Sequence, residues 1–224
     1  MNSYNEVRQA LDPVVGVPFR ELAPALGIDL PADATRRKQA GGDVVEKVLQ
    51  IAKNSIPKPD LEYLGTEVKT IPLNTRSRPR EWTKISTFNI ASVVAEADFR
   101  RSSVFAKLRS ILFVPVMKTN NDAPDFWYLR PSFLWLPTED QLVRFETDYQ
   151  MIRTAAVAED WGGLSSGSGD SLTLKTSDKR TRDKSPELKR RAWWLKASIT
   201  REICEQNLWP HKAIEERRDQ LLRP

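Results

Sequence analysis

The run Ile111-Leu112-Phe113-Val114-Pro115-Val116-Met117 constrains the fold more than any other stretch of the chain. It is the longest apolar run, far too short to cross a bilayer, and largely β-branched or aromatic. A continuous apolar run of this length, closed by Asn120-Asn121-Asp122, predicts a strand. Residues 125–137, DFWYLRPSFLWLP, read the same way and end at Pro137-Thr138-Glu139-Asp140. There the pattern changes. Thr138 and Gln141 have capping-box spacing, and Leu142, Phe145, Tyr149, Ile152 and Ala156 recur at three- and four-residue intervals. That spacing predicts the clearest helix in the chain. Strands and helices therefore alternate, which makes the class α/β or α+β.

The flanking segments fit this picture. Ser3 and Glu6 open a first helix with Val7 and Leu11, and a second short helix runs near Phe19 to Leu26, ending at Gly27. Gly41-Gly42 reads as a flexible entry to a third helix starting around Asp43. Its apolar face carries Val44, Val45, Val48, Leu49, Ile51 and Ala52, with Glu46 outside it. Pro57 and Pro59 end that helix, and residues 66–72 alternate as a strand. GGLSSGSG at 162–169 reads as a loop, and the SLTLK stretch after it as a strand. Ser198 or Thr200 is expected to cap a later helix, and Pro210 to open the last one.

Composition excludes several classes of chemistry. With one cysteine, Cys204, and one histidine, His211, the 224-residue chain has no intramolecular disulfide, cysteine zinc cluster or multi-histidine metal site. A Ser-His-Asp triad is disfavoured, because His211 sits in a polar terminal segment. MNSYNEVRQ has no basic flank or apolar stretch of the signal-peptide kind, so the expectation is a cytoplasmic protein. The charge is unevenly placed. Residues 172–201 hold ten Lys or Arg against three acids, a balance of +7 that exceeds the +5 of the whole chain. Such segregation fits either a solvated basic loop or contact with a polyanion through counterion release.

The chemistry-bearing stretch is Pro59-Asp60-Leu61-Glu62-Tyr63-Leu64-Gly65-Thr66-Glu67-Val68-Lys69. On a strand, Glu67 and Lys69 project from one face, and a turn across Gly65 returns Asp60 towards them. Two carboxylates and a lysine suit metal-assisted phosphodiester hydrolysis: oxygen ligands for a hard divalent cation, and an ammonium for the attacking water or the phosphorane charge. Bare, the D-x6-E-x-K pattern equally describes an exposed Glu-Lys pair on a solvated strand, worth under about 1 kcal/mol.

The residues around it narrow the choice. Leu64-Gly65-Thr66-Glu67-Val68-Lys69-Thr70-Ile71-Pro72-Leu73, followed by Arg78-Pro79, resembles the "D…LG-x-E-[LV]-K-T-I-P" core of the MutH family. Gly42-Asp43-Val44-Val45-Glu46 resembles the family helix that bears a further active-site glutamate. Lys107-Leu108 with 111–116 resembles its "KL…VLWIPV" stretch, and Trp193-Trp194-Leu195-Lys196 its "FYLKK" stretch, so the likeness runs from about residue 19 to 207. The family comprises the strand-nicking endonuclease of methyl-directed mismatch repair and related GATC-type restriction endonucleases.

The resemblance implies a restriction-endonuclease-like PD-(D/E)xK α/β fold, with a mixed central sheet flanked by helices and two lobes around a DNA cleft. It implies one domain over 1–224, with a catalytic core at about 38–117 and a basic DNA-reading region at about 170–207. Asp60, Glu67 and the Val68 carbonyl would hold Mg²⁺, for which Mn²⁺ would substitute, and Lys69 would serve the attacking water. Glu46 would stand in the second shell or at a second metal position, while Lys107 and Lys38 match lysines near the active site and DNA backbone. Lys84, Lys175, Trp194 and Lys196 fall in the DNA-binding region. At three of these positions the chain departs from the family: Lys84 replaces an aromatic residue, Lys175 a base-reading arginine, and Trp194 a tyrosine implicated in sensing adenine methylation. Lysine lacks the planar fork of arginine, and tryptophan lacks the tyrosine hydroxyl.

The implied activity is Mg²⁺-dependent endonuclease cleavage of double-stranded DNA. In the repair reading the enzyme nicks one strand as a monomer activated by MutL. In the restriction reading it cuts both strands, as a DNA-induced dimer or by successive nicks. A catalytically silent DNA-binding module is the third reading. Trp127 and Trp135 are expected in the core, Trp193 and Trp194 on opposite faces of a strand, and Cys204 buried and inert.

Overall fold

The computed structural model describes residues 2–30, 38–52, 58–79, 81–118, 123–160, 164, 166–176 and 191–208. Strands are β1 (Glu67–Leu73), β2 (Thr83–Thr87), β3 (Ile111–Met117), β4 (Tyr128–Leu129), β5 (Phe133–Trp135), β6 (Leu172–Thr176) and β7 (Arg191–Leu195). They form two sheets. β1 runs parallel to β3, and β4 and β5 pair antiparallel with β3, so the first sheet is mixed. The second is antiparallel in the order β2-β7-β6.

The architecture follows from β3. All seven of its residues are buried, and alternate side chains enter two different cores. Ile111, Phe113 and Met117 join Phe145, Tyr149, Ile152 and Trp193 on one face. Leu112, Val114 and Val116 join Val44, Val45, Phe19 and Trp127 on the other. A strand buried on both sides needs no polar alternation, which is why this segment is apolar throughout. On β1 the same period puts Ile71 and Leu73 in the first core and carries Glu67 and Lys69 along that row to its open end.

The expected strand 66–72 is β1, shifted by one residue, and the capping box at Thr138 and Gln141 starts the helix Glu139–Val157. Ser3 caps the helix Tyr4–Leu11, accepting from the Glu6 N–H at 3.3 Å. Trp127 and Trp135 are 4% and 3% exposed, and Trp193 is buried while Trp194 is half-buried. Cys204 is fully buried, and burial pushes its thiol up to about 12, which keeps it protonated and inert. No helix among the described residues is long and apolar enough to cross a membrane.

Four expectations change. The 125–137 run is not one strand: Pro124–Phe126 forms a 3-10 turn, and Arg130-Pro131 separates β4 from β5. The third helix is Ala40–Val48 and includes both glycines. A Cβ on Gly41 would meet Val116 Cγ2 at 3.0 Å, so the glycine serves close helix-strand approach instead of flexibility. Ser198 and Thr200 lie inside a helix at 197–208 and do not cap it, and buried Thr200 shares a 3.3 Å hydrogen bond with Thr83. Pro210, His211 and most of the basic stretch, 177–190, lie outside the described residues.

Candidate active site

Glu67 is the most constrained charged residue at the start of β1, only 1% exposed. Its carboxylate accepts from Lys69 Nζ at 2.5 Å and from Lys107 Nζ at 3.1 and 3.2 Å. Lys69 stands two residues along the same strand face. Lys107 arrives from the last turn of the helix Ser103–Leu108, which the Ser102 hydroxyl caps. A carboxylate this buried is tolerable only because both ammonium groups face it, and removing either side would leave an uncompensated charge.

Asp60 approaches from the other side of the strand. A 3-10 turn, Glu62–Leu64, ends at Gly65 in the left-handed region (φ +60°), and Leu61 bridges Thr66. This folds the chain back so that Asp60 Oδ2 accepts from the Val68 N–H at 3.0 Å. β1 meets β3 on one edge only, where the Glu67 N–H bonds Ser110. The Val68 N–H therefore points to the open edge, and its carbonyl points the same way. Asp60 and Glu46 line a small cavity of about 40 Å³ with Gly42, Val68 and Thr70. Expected to lie outside the apolar face of its helix, Glu46 is half-buried and lines this cavity with the aspartate.

The oxygen-only donor set of Asp60, Glu67 and the Val68 carbonyl fits a hard divalent cation. Among the described residues no three His, Cys, Asp or Glu side chains come together as a cage.

A cleft of about 310 Å³ opens beside this cluster, lined from both sheets. Lys38, Lys69, Lys84 and Lys118 supply positive charge, Glu81 a single acid, and Trp82, Trp127 and Trp194 its aromatic surfaces. Lys84 is paired in register with Trp194. Its ammonium is held below the usual lysine range, first by partial desolvation against the cleft wall, although the residue stays exposed overall, and second by the nearby Lys69. Lys175 stands at the rim with its ammonium over the Trp82 and Trp194 rings.

The structure thus gathers Asp60, Glu67, Lys69, Lys107 and Glu46 around one end of β1, and Lys38, Lys84, Lys175 and Trp194 around the adjoining cleft. Lys196 is used differently: its ammonium donates to the Gly167 and Gly169 carbonyls and braces a turn. Trp82 and Lys118 belong to the cleft and were not singled out in the sequence. Each lies next to a strand end, where no periodicity marks it.

Residues 49–148 match the family model described as "DNA mismatch repair enzyme MutH". The DNA mismatch repair protein MutH of Actinobacillus pleuropneumoniae serotype 3 is 25% identical over 181 residues, covering 81% of this chain and 80% of the relative. Those of Shewanella woodyi and Shewanella sp. strain W3-18-1 are 25% and 26% identical, covering 80% and 76% of this chain. The chain is thus similar to the MutH family over residues 49–148 and to MutH proteins over most of its length. The matched segment holds Asp60, Glu67, Lys69 and Lys107, all of β1 and β3, and most of the helix Glu139–Val157. Helix Ala40–Val48 with Glu46, and β6-β7 with Lys175 and Trp194, lie outside it, although the MutH relatives align over about four-fifths of the chain.

Proposed function

We propose that this chain is a MutH-type, Mg²⁺-dependent, sequence-specific DNA endonuclease of PD-(D/E)xK type that nicks one strand in mismatch repair. The observation carrying this reading is the convergence on one strand end: Asp60 on the Val68 N–H, Glu67 between two lysines, and a cationic cleft alongside. Duplex DNA occupies the cleft between two lobes, with Lys38, Lys84 and Lys118 on phosphates.

Asp60, Glu67 and the Val68 carbonyl would hold the cation, which would supply polarisation of the phosphate and a lowered pKa for a nearby water. Lys69 leaves Glu67 to orient the water that attacks phosphorus. Lys107 faces the charge that builds on the phosphate oxygens. The new P–O bond forms as the P–O3′ bond breaks; the attacking water gives up a proton to solvent and the departing 3′ oxygen takes one up, leaving 5′-phosphate and 3′-hydroxyl ends. Glu46 beside Asp60 fixes the aspartate or serves a second cation position.

The test uses supercoiled plasmid with Mg²⁺ at low salt, prepared with and without adenine methylation at GATC, and maps the ends. Nicked circles at unmethylated GATC, stimulated by MutL and ATP, are the expected result. Linear product at another fixed site would move the enzyme to the restriction class, which Lys175 and Trp194 at the reading positions favour. No product under any of these conditions would defeat the nuclease reading.

Lys84 gives this reading a pH signature. Its charged form is disfavoured in the free protein, and a phosphate on the ammonium restores it, so DNA binding takes up a proton at alkaline pH. Affinity is fully present below the lowered pKa and falls as pH rises through it, before the usual 10.5. Fluorescence anisotropy against pH should show this fall, and Lys84→Arg, which stays charged, should flatten it. Identical profiles for the two proteins would remove Lys84 from the DNA contact.

A further inference from the structure

The Lys175 ammonium lies 4.8 Å from the centre of the Trp82 ring and 5.4 Å from that of Trp194, both inside cation-π range. The three residues come from adjacent parts of one sheet: Trp82 precedes β2, Trp194 is in β7 and Lys175 in β6. Both indoles line the cleft, and Lys175 itself is exposed. We propose that Trp82 is a positioning residue for sequence reading: with Trp194 it fixes the Lys175 ammonium as a donor towards base edges of duplex DNA. This rests on the endonuclease reading above and adds to it a residue that neither the motif nor the family likeness singled out.

The reason lies in what a lysine lacks. Its ammonium is a point charge on a flexible stem, well suited to phosphates and poorly suited to telling one base from another. Arginine carries fixed geometry in its planar fork, whereas lysine must borrow it. Two ring faces converging on one ammonium supply that geometry, because the attraction restricts the stem without neutralising the charge. The ammonium has three N–H donors, so those not engaged by the rings remain for an acceptor such as guanine O6 or N7. Lys118, placed on phosphate above, lies over one ring, that of Trp127 at 4.4 Å, whereas two rings converge on Lys175; Lys38 and Lys69 have none within cation-π range among the described residues.

The experiment measures affinity, in chelator, for the duplex that the wild-type protein cuts best and for a scrambled duplex of equal length. Trp82→Ala is expected to reduce the preference between them about tenfold, within the range of one good base contact. Lys175→Ala should do the same, and the double variant should lose little more. Trp82→Phe retains a ring and should hold the preference within about twofold. Full preference in Trp82→Ala, or equal weakening towards both duplexes, would overturn the proposal. A wild-type protein that cuts selectively, beside a Trp82→Ala protein equally selective, removes this inference alone. A wild-type protein that neither cuts nor binds DNA removes the endonuclease reading and this inference with it.

Discussion

Glu67→Gln is expected to lower DNA cleavage by roughly 10³-fold, the scale of losing one preorganised charge element at a reacting phosphate. The substitution keeps the side-chain shape and one acceptor oxygen between Lys69 and Lys107, so the strand end should stay folded. What it removes is the negative charge needed to hold a cation beside Asp60. DNA affinity measured in chelator should hold or rise, because the site then presents two ammonium groups to the backbone without their counter-charge. Glu67→Ala is the harsher variant, since it leaves those ammonium groups facing a gap, and should also lower the thermal midpoint. Single-turnover cleavage of plasmid separates the effects. Wild-type rates in Glu67→Gln would show that this carboxylate is a structural ion pair and that the metal assignment is wrong.

The carboxylates were legible for the same reason that β1 was: a strand repeats every two residues, so Glu67 and Lys69 had to share a face, and Gly65 marked the turn that returns Asp60. β3 was legible because burial on both faces leaves one continuous apolar run. Where a residue's role depends on a distant partner, local pattern failed. Glu46 looked like an ordinary helix-surface charge and Lys107 like an exposed lysine. Only the packing of Ala40–Val48 and Ser103–Leu108 around β1 brings them to the site, and only the family resemblance flagged them. Gly41 read as part of a flexible entry to its helix because its neighbour Val116 is 75 residues away in sequence. Lys196 read as one more cation in a basic run, yet its geometry is set by carbonyls 27 and 29 residues upstream.

Those carbonyls belong to a turn whose other side is held by Asp148, and Asp148→Ala is expected to cost about 3–5 kcal/mol of stability. Asp148 is 5% exposed on the helix Glu139–Val157. Its Oδ1 accepts from the Asp170 N–H at 2.8 Å, and its Oδ2 from Ser171 and Leu172 at 2.8 and 2.7 Å. Three successive amides converging on one carboxylate form an anion nest, and Ser171 and Leu172 are themselves buried. Alanine would leave those donors without an acceptor, and each hydrogen bond to a charged group is worth about 1.5–3 kcal/mol, less than additively. Against a total stability of about 5–15 kcal/mol for a domain, that loss is large. Asp148→Asn keeps one acceptor oxygen but turns an amide donor towards an N–H, so it should fall between alanine and wild type in urea unfolding. The turn leads directly into β6, which carries Lys175 three residues beyond Leu172. The asparagine variant should therefore lose DNA sequence preference at temperatures where it is still folded, while Mg²⁺-dependent nicking at the β1 end persists. A loss below about 1 kcal/mol in Asp148→Ala would mean that strand pairing and Lys196 hold the turn without it.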